Sequence, residues 1–526
     1  MPFPPTRRLR WLVQVLFLIG FVVLLDITVV PLPEGLPTDL YLRLSPLNGL
    51  VTMLARREIL YTTLLPGLAT LLITALFGRV FCGWFCPMGT TIDVFERLAL
   101  RRRRYPLPDP KRLDRTRPIK YVLLTGMLAA ALLSFQPAAF LDPISMVHRS
   151  YIAVVHGPIH NLAQDARDVA YRPLRARGRR IQPGAAPRVY HLNAVILAMW
   201  GTVLGLSAVQ KRFWCRHLCP LGALLALVAH LPLLRRRVAD GCTHCMRCER
   251  DCKMGCIQEK GRSYRSRECI LCYNCESICP VDAVSFPLGA GPEPGRDSSH
   301  QLGRRRLLGG AAAGVLWMVG VRTSVGHART AGRSDLPNQL EENTKSPRRI
   351  RPPGALPERQ FLQTCIRCGE CMKVCPTNAL QPALGEGGLE GLFTPILVPR
   401  IGHCEERCNA CSRVCPTGAI QNFRIEEKRD KFILGKASIN RSTCRPWYGG
   451  KKCSICDEHC SYDAIDTRMI DGAERPVVLE DKCTGCGICE RMCPVTPVAA
   501  IEVSARDERR PLVDEGLSPL SGFTSQ

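Results

Sequence analysis

Residues 365–376 read Cys365-Ile-Arg-Cys368-Gly-Glu-Cys371-Met-Lys-Val-Cys375-Pro376, and the spacing C-x2-C-x2-C-x3-C-P decides how this part of the chain folds. Three cysteines on one short loop grip a [4Fe-4S] cubane, while the fourth reaches a neighbouring cluster. Zinc sites use paired C-x2-C knuckles without the third close cysteine. Variants of the run recur as Cys404/Cys408/Cys411/Cys415, Cys444/Cys453/Cys456/Cys460 and Cys483/Cys486/Cys489/Cys493, and proline follows the fourth cysteine in three of the four groups. First cysteines of groups one and two lie 39 residues apart, as do those of groups three and four. That spacing predicts two tandem two-cluster modules, although the 40-residue gap between groups two and three leaves a nested pairing of one with four open. All sixteen cysteines are expected ligands in either arrangement. Arg367, Lys373, Lys451 and Lys452 are close enough in sequence to tune cluster potentials.

Upstream, Cys242/Cys245/Cys248/Cys252 and Cys269/Cys272/Cys275/Cys279 repeat the theme, with Pro280 after the last. Crossing the fourth ligands predicts one cluster on Cys242, Cys245, Cys248 and Cys279, and another on Cys269, Cys272, Cys275 and Cys252. Lys253 stands where proline is usual. Cys256 is left over, as a buried or spare thiol or as a substitute for Cys252. The 29 cysteines are completed by two C-x3-C-P pairs, Cys82/Cys86 and Cys215/Cys219, which could bind a metal or cofactor, form a redox dithiol or simply pack. Proline should end each preceding helix and hold the second thiol at the surface.

A disulfide scaffold fits poorly, because such chains are short and their cysteines are not confined to repeated quartets. The net charge of +25 could suggest nucleic acid, but no recognition motif accompanies it. The basic runs 101–104 and 235–237 flank apolar segments instead, as topology signals and contacts to membrane lipid do.

Four apolar stretches, roughly 11–30, 59–78, 118–136 and 191–209, approach the ~20 residues that a membrane helix needs. Arg7, Arg8 and Arg10 before the first favour a cytoplasmic N-terminus, and the loop 79–117 carries ten Lys or Arg. The outer loop 137–190 carries eight Arg against the simple rule, but its length weakens that rule. The 14-residue apolar run Leu221 to Leu234 should lie in the interface without spanning. Asp26, in the first span, and His148, His156 and His160, expected to be solvated in the outer loop, are weak proton-acceptor candidates. Catalytic residues are otherwise unknown. A further apolar segment, Leu307 to Val321, follows Arg304-Arg305-Arg306 and has the order of a twin-arginine signal. Gly326-His327-Ala328 is a candidate cleavage site, with an uncleaved anchor as the alternative.

These readings give a multidomain chain: an all-α transmembrane helix bundle plus small α+β bacterial-ferredoxin-like two-cluster modules. The expected divisions are a four-helix transmembrane domain over 1–235, a cytoplasmic two-cluster module over 236–286, a linker and signal or anchor helix over 287–328, and a linker over 329–357. A four-cluster domain over 358–503 and a disordered tail over 504–526 complete it.

The pairs Cys82-Gly-Trp-Phe-Cys86-Pro87 and Cys215-Arg-His-Leu-Cys219-Pro220 resemble the NapH/MauN membrane ferredoxin family, whose membrane region is shared by NosR-type proteins. The region from Cys365-Ile-Arg-Cys368-Gly-Glu-Cys371 to Pro416-Thr-Gly-Ala-Ile420 resembles the NapG/MauM periplasmic ferredoxins. The resemblance implies a fusion of two such subunits in a bacterial inner membrane, with about six [4Fe-4S] clusters. It also implies quinol oxidation and delivery of electrons to a periplasmic reductase or c-type cytochrome, after export by the twin-arginine translocation machinery. An assembly factor that reduces a metal or cofactor in a periplasmic client is the alternative. Clusters on opposite sides of the membrane would be joined by quinone or by the four thiols of the C-x3-C-P pairs, or would belong to different circuits.

Overall fold

The computed structural model describes residues 5–32, 37–101, 103, 105, 115–176, 187–229, 233–258, 260–261, 263–289, 303–324 and 349–510. The chain divides into two compact units: residues 1–26, 40–150 and 197–318 form one, and residues 27–39, 151–196 and 319–526 form the other.

In the first unit the helices Pro46–Arg56, Tyr61–Phe77, Ile119–Leu132 and Pro220–Val228 pack on one another. Pro46 presets the first turn of its helix, and the Ser45 hydroxyl accepts the Asn48 N–H. Leu47, Val51, Leu124, Met127, Leu221 and Leu225 are buried. The run beginning at Leu221 is helical to Val228 and packs among these helices. The helix Arg304–Ser324 closes on Ile119–Leu132 through glycines: a Cβ on Gly314 would come within 2.1 Å of the Gly126 carbonyl oxygen. Gly310 and Gly314 give this face the small-x3-small spacing that lets helix backbones approach.

The four expected spans are helical, but three are shorter than their apolar windows. Among the described residues, Thr6–Ile27 is the one helix both long and apolar enough to cross a membrane. Tyr61–Phe77 has 17 residues and stops at Gly78, whose φ is 79°. Ile119–Leu132 has 14 residues, fixed by Pro118 in front and by Ser134 at φ 62° behind. Asn193–Gly205 has 13 residues and tightens into the 3-10 turn Leu206–Ala208. Hydropathy windows count apolar loop residues that helices do not include. His148, expected to be solvated, is buried in Pro143–Ser150, edge-on to Phe21 at 5.8 Å.

The first unit also holds the module built from Arg237–Val238 paired antiparallel with Val284–Ser285, and Ile257–Gln258 paired with Ser263–Tyr264. Its small core is Ile257, Cys275 and Val284, with Tyr264 and Phe286 against them.

The second unit is made of short elements. Leu380–Pro382 pairs with Pro395–Leu397, Lys436–Ile439 with Ile501–Ser504, and Ile465–Ile470 with Ala473–Val478, all antiparallel. The last pair turns at Asp471-Gly472, both at positive φ as a two-residue hairpin turn requires. Residues 349–357 lie where a linker was expected, yet they are largely buried: Ala355 bridges Ile420, and the Leu356 N–H donates to the Ala419 carbonyl. Beyond Ser504, where a disordered tail was expected, Arg509 bridges Ile433. The remainder of the expected linkers and tail, and Gly326-His327-Ala328, lie outside the described residues.

Candidate metal centres

Four of the six cysteine groups share one backbone device. The residue before the second cysteine and the residue after it both take left-handed φ: His244 and Met246 (52° and 59°), Leu271 and Tyr273 (47° and 55°), Arg367 and Gly369 (53° and 90°), Gly485 and Gly487 (72° and 88°). Glycine takes this conformation freely, whereas Met246 and Tyr273 must be held there by the loop. Successive turns of this kind aim backbone N–H groups into a concavity. Accordingly Cys245, Cys272, Cys368 and Cys486 each accept the N–H of the residue two positions on. Fourth cysteines accept from residues further along: Cys252 from Cys256 (3.2 Å), Cys279 from Ala283 (3.3 Å), Cys415 from Ile420 (3.4 Å), Cys460 from Ala464 (3.3 Å) and Cys493 from Ala500 (3.3 Å).

The loops enclose cavities, and each cavity is completed by the fourth cysteine of another group. Cys242, Cys245 and Cys248 line one cavity with Cys279. Cys365, Cys368 and Cys371 line another with Cys415. Cys444, Cys453 and Cys456 line a third with Cys493, and Cys483, Cys486 and Cys489 a fourth with Cys460. Two further sets are joined by electrostatic proximity: Cys404, Cys408 and Cys411 with Cys375, and Cys269, Cys272 and Cys275 with Cys252. The second region therefore pairs group one with two and three with four, and the nested pairing is not formed. Among the described residues no three His, Cys, Asp or Glu side chains gather closely enough for a single ion. The cysteines surround a space instead, which fits a cubane whose thiolates each take a separate iron. Burial pushes the free thiols of Cys368, Cys371, Cys411 and Cys489 well above their ordinary value, so thiolates there need the compensating charge of bound iron.

The sets in the second unit form a row. Cys371 of the first feels Cys411 of the second; the Cys404 N–H of the second donates to the Cys486 carbonyl of the fourth at 2.8 Å; and Cys489 of the fourth feels Cys456 of the third. Segments from early in the chain wrap one end of this row. Asn378 and Gln381 donate to the Val189 carbonyl, Arg188 donates to the Cys375 carbonyl, and Lys373 donates to the Thr28 carbonyl at 2.7 Å. Arg367 and Lys373, singled out as tuning charges, are buried there, whereas Lys451 and Lys452 are exposed.

Cys82, Cys86, Cys215 and Cys219 are all buried and lie within electrostatic reach of one another. Cys86 and Cys219 cap Pro87–Leu98 and Pro220–Val228, so each proline opens a helix at its first turn. The second thiol of each pair is consequently enclosed and not at the surface. Burial and the neighbouring sulfurs push the Cys86 and Cys219 thiols up, and burial raises Cys215 to about 11. This quartet abuts the Cys269–Cys272 loop: a Cβ on Gly83 would come within 2.1 Å of the Ile270 carbonyl oxygen, and the Trp84 indole donates to the Leu271 carbonyl at 3.0 Å.

Buried charge stitches the same contact. Arg79 reaches Cys82 Sγ at 3.9 Å and the Glu268 carboxylate at 2.7 Å, and Lys120 and Tyr121 also bond Glu268. Asp93 takes Arg212 twice at 2.8 Å, Arg10 at 2.9 Å and Lys253 at 2.6 Å. Burial alone would raise Asp93, but these cations hold its carboxyl well below the usual range. Lys253, which replaces the usual proline, has this ion cluster as its role. Sequence reasoning missed the cluster because Arg10, Asp93, Arg212 and Lys253 come from four separate segments. Cys256, expected as a buried or spare thiol or as a substitute for Cys252, is buried, and its thiol bonds both Cys252 and Cys269.

Known proteins agree with this geometry. Residues 239–255, and 264–285, 362–381 and 476–496, match two family models described as 4Fe-4S binding domains. A third model with that description matches 59–108 and 192–238, which contain the two C-x3-C-P pairs. The chain is 35% identical over 213 residues to the methylamine utilization ferredoxin-type protein MauM of Methylorubrum extorquens, covering 39% of this chain and 90% of the relative. It is 34% identical over 209 residues to the ferredoxin-type protein NapG of Escherichia coli, covering 38% of this chain and 84% of the relative. Protein NirI of Paracoccus denitrificans is 31% identical over 216 residues, 39% of this chain and 26% of that protein. A multi-module iron–sulfur chain with such relatives is an electron-transfer protein, and it belongs to the MauM and NapG family of ferredoxin-type proteins.

Proposed function

We propose that the chain is a membrane-held electron conduit of a bacterial inner membrane, which oxidises quinol and serves a periplasmic reductase or c-type cytochrome. The observation that carries this reading is the row of four cysteine sets in the second unit, each completed by a thiol from its pair. The twenty-four cysteines of the six sets are the ligands, and [4Fe-4S] clusters held there supply one-electron redox chemistry. Buried Arg367 and Lys373 favour the reduced, more negative state of the sets beside them.

The four apolar helices form the membrane part in this reading, with Arg304–Ser324 retained as a fifth anchor after twin-arginine export of the second unit. Its glycine packing on Ile119–Leu132 and the edge-on contact of Trp317 with Phe135 at 5.5 Å support retention. The expected sidedness is supported by two contact sets. Thr28 and Arg188 to His191, expected outside, bond residues 373–381 of the four-cluster region. Thr6 and Arg7, expected inside, bond Glu276 and Ser277 of the first module. The Cys82/Cys86/Cys215/Cys219 quartet, pressed against the Cys269 loop, is in this reading a redox or metal-binding group of the membrane part.

Anaerobic full-length protein should carry about 24 irons per chain and give reduced-cluster EPR signals after a quinol analogue is added. Replacing Cys82 and Cys215 by Ser should slow reduction of the second-unit clusters. Unchanged rates would remove the thiols from the route, and failure of quinol to reduce any cluster would overturn the donor assignment.

A further inference from the structure

The first unit carries a bay of about 1440 Å³ that none of the chemistry above uses. It is floored by the start of the helix Pro5–Ile27 and by Pro87–Leu98, and walled by Arg247–Asp251 and Asn274–Ser277, the short helices that hold Cys248 and Cys275. Nine of its lining side chains are Lys or Arg, and three are Asp or Glu.

Those three carboxylates are already engaged. Asp93 holds Arg10, Arg212 and Lys253; Asp251 holds Lys211 at 2.6 Å; and Glu96 accepts the Arg212 N–H at 2.6 Å. Arg8, Arg101, Arg247 and Arg250 are exposed in the bay, and none makes an ion pair with a carboxylate among the described residues. Burial and the like charges of Arg7 and Arg10 hold the Arg97 guanidinium below its usual range, against the pull of Asp93. Two rings complete the wall: Arg97 lies 5.3 Å from the Trp11 ring and Lys211 lies 5.6 Å from that of Tyr105. Guanidinium forks gathered along one concavity match phosphate oxygens. The bay sits at the end of Thr6–Ile27, which among the described residues is the one helix long and apolar enough to cross a membrane, where lipid phosphates would lie.

We propose that this bay binds a phosphate-bearing ligand, either an anionic lipid headgroup or a soluble phosphate, against the two loops that carry Cys248 and Cys275. A bound anion would relieve the mutual repulsion of the arginines. It would also set the local potential beside the first module without touching a cysteine.

The test uses full-length, cluster-loaded protein in detergent. Dioleoylphosphatidylglycerol retention is counted by native mass spectrometry against dioleoylphosphatidylcholine, and inorganic pyrophosphate binding is measured by equilibrium dialysis. Retention of phosphatidylglycerol assigns a lipid, and binding of pyrophosphate assigns a soluble ligand; either should weaken about tenfold in R247Q/R250Q, with EPR signals intact. R413Q/R468Q, which removes equal charge from the second unit, should bind as wild type does. If R247Q/R250Q loses its clusters, R8Q on the first helix carries the same expectation. Binding of neither phosphate probe above the neutral control, or equal losses in both charge pairs, overturns the site.

Discussion

The Cys242 set of the first module and the first group of the four-cluster domain use the same loop but shelter it differently. Cys245 is exposed and Cys242, Cys248 and Cys279 are half-buried, whereas Cys365, Cys368, Cys371 and Cys375 are all buried. The difference comes from chain far outside the motif. Residues 27–32, 187–192 and 349–357 cover the first group of the second unit and give it buried donors such as Arg188 and Lys373. The first module instead leans on the buried ion clusters of its own unit. A motif therefore fixes ligand spacing, while distant segments fix solvent access, and solvent access is one of the factors that set cluster potential and lability.

The strongest way to break this picture is to count iron in paired variants. C365S/C415S touches one cavity and should cost about four irons per chain, whereas C404S/C415S touches two sets and should cost about eight. A nested pairing would instead raise the C365S/C415S loss to about eight and, by coupling Cys365 to the fourth group, make C365S/C493S cost only about four. Iron and sulfide analysis decides between them.

Next in size is the ion cluster of the first unit. Asp93→Asn leaves Arg10, Arg212 and Lys253 buried without their carboxylate, a loss of about 3–5 kcal/mol. Asp466→Asn in the second unit removes only an exposed pair with Arg468 and should change stability by under ~0.5 kcal/mol. Thermal melts of the two variants under argon should differ by several degrees. Equal melts would mean that charge does not organise the contact between Cys82 and the Cys269 loop.

Solvent access itself is tested by air. The cluster on Cys242, Cys245, Cys248 and Cys279 should decay before that on Cys365, Cys368, Cys371 and Cys415, because oxygen and water reach the first set directly. Variants C279S and C415S identify which EPR component belongs to which set. Simultaneous decay would make burial irrelevant to lability.

Much of this was legible in the residues themselves. Cysteine spacing gave the loops, and crossing the fourth ligand in the first module, Cys279 to the Cys242 loop and Cys252 to the Cys269 loop, is the arrangement the fold adopts. The choice between tandem and nested pairing was not legible, because 39 and 40 residues of chain reach equally far. A helix end was misjudged where Ser134, at positive φ, interrupts an apolar window. Burial of the second thiols escaped notice because proline was taken as a stop, although at Pro87 and Pro220 it is a start. The arginine and lysine partners of Asp93 and Glu268 left no local trace, since each pair joins residues between about 80 and 190 positions apart.

A smaller effect than that at Asp93 is expected at Glu358, which ties the segment before the four-cluster region to the chain beyond it. Its carboxylate takes Arg351 at 2.7 Å and Arg510 at 3.4 Å, with Arg349 at 3.6 Å. Burial would raise the group, but these guanidinium groups, Arg351 foremost, lower it from 4.5 to about 2. A depressed carboxyl stabilises the fold above its unfolded value and loses that contribution as pH falls through the folded value. Wild type should therefore exceed Glu358→Gln by about 1–2 kcal/mol at pH 7, and the gap should narrow only as pH drops from about 4.5 toward about 2. Urea midpoints of anaerobic protein measure it. A gap that persists unchanged through that window would show that Glu358 acts by packing, and that the buried segment 349–357 is held by its apolar residues and not by charge.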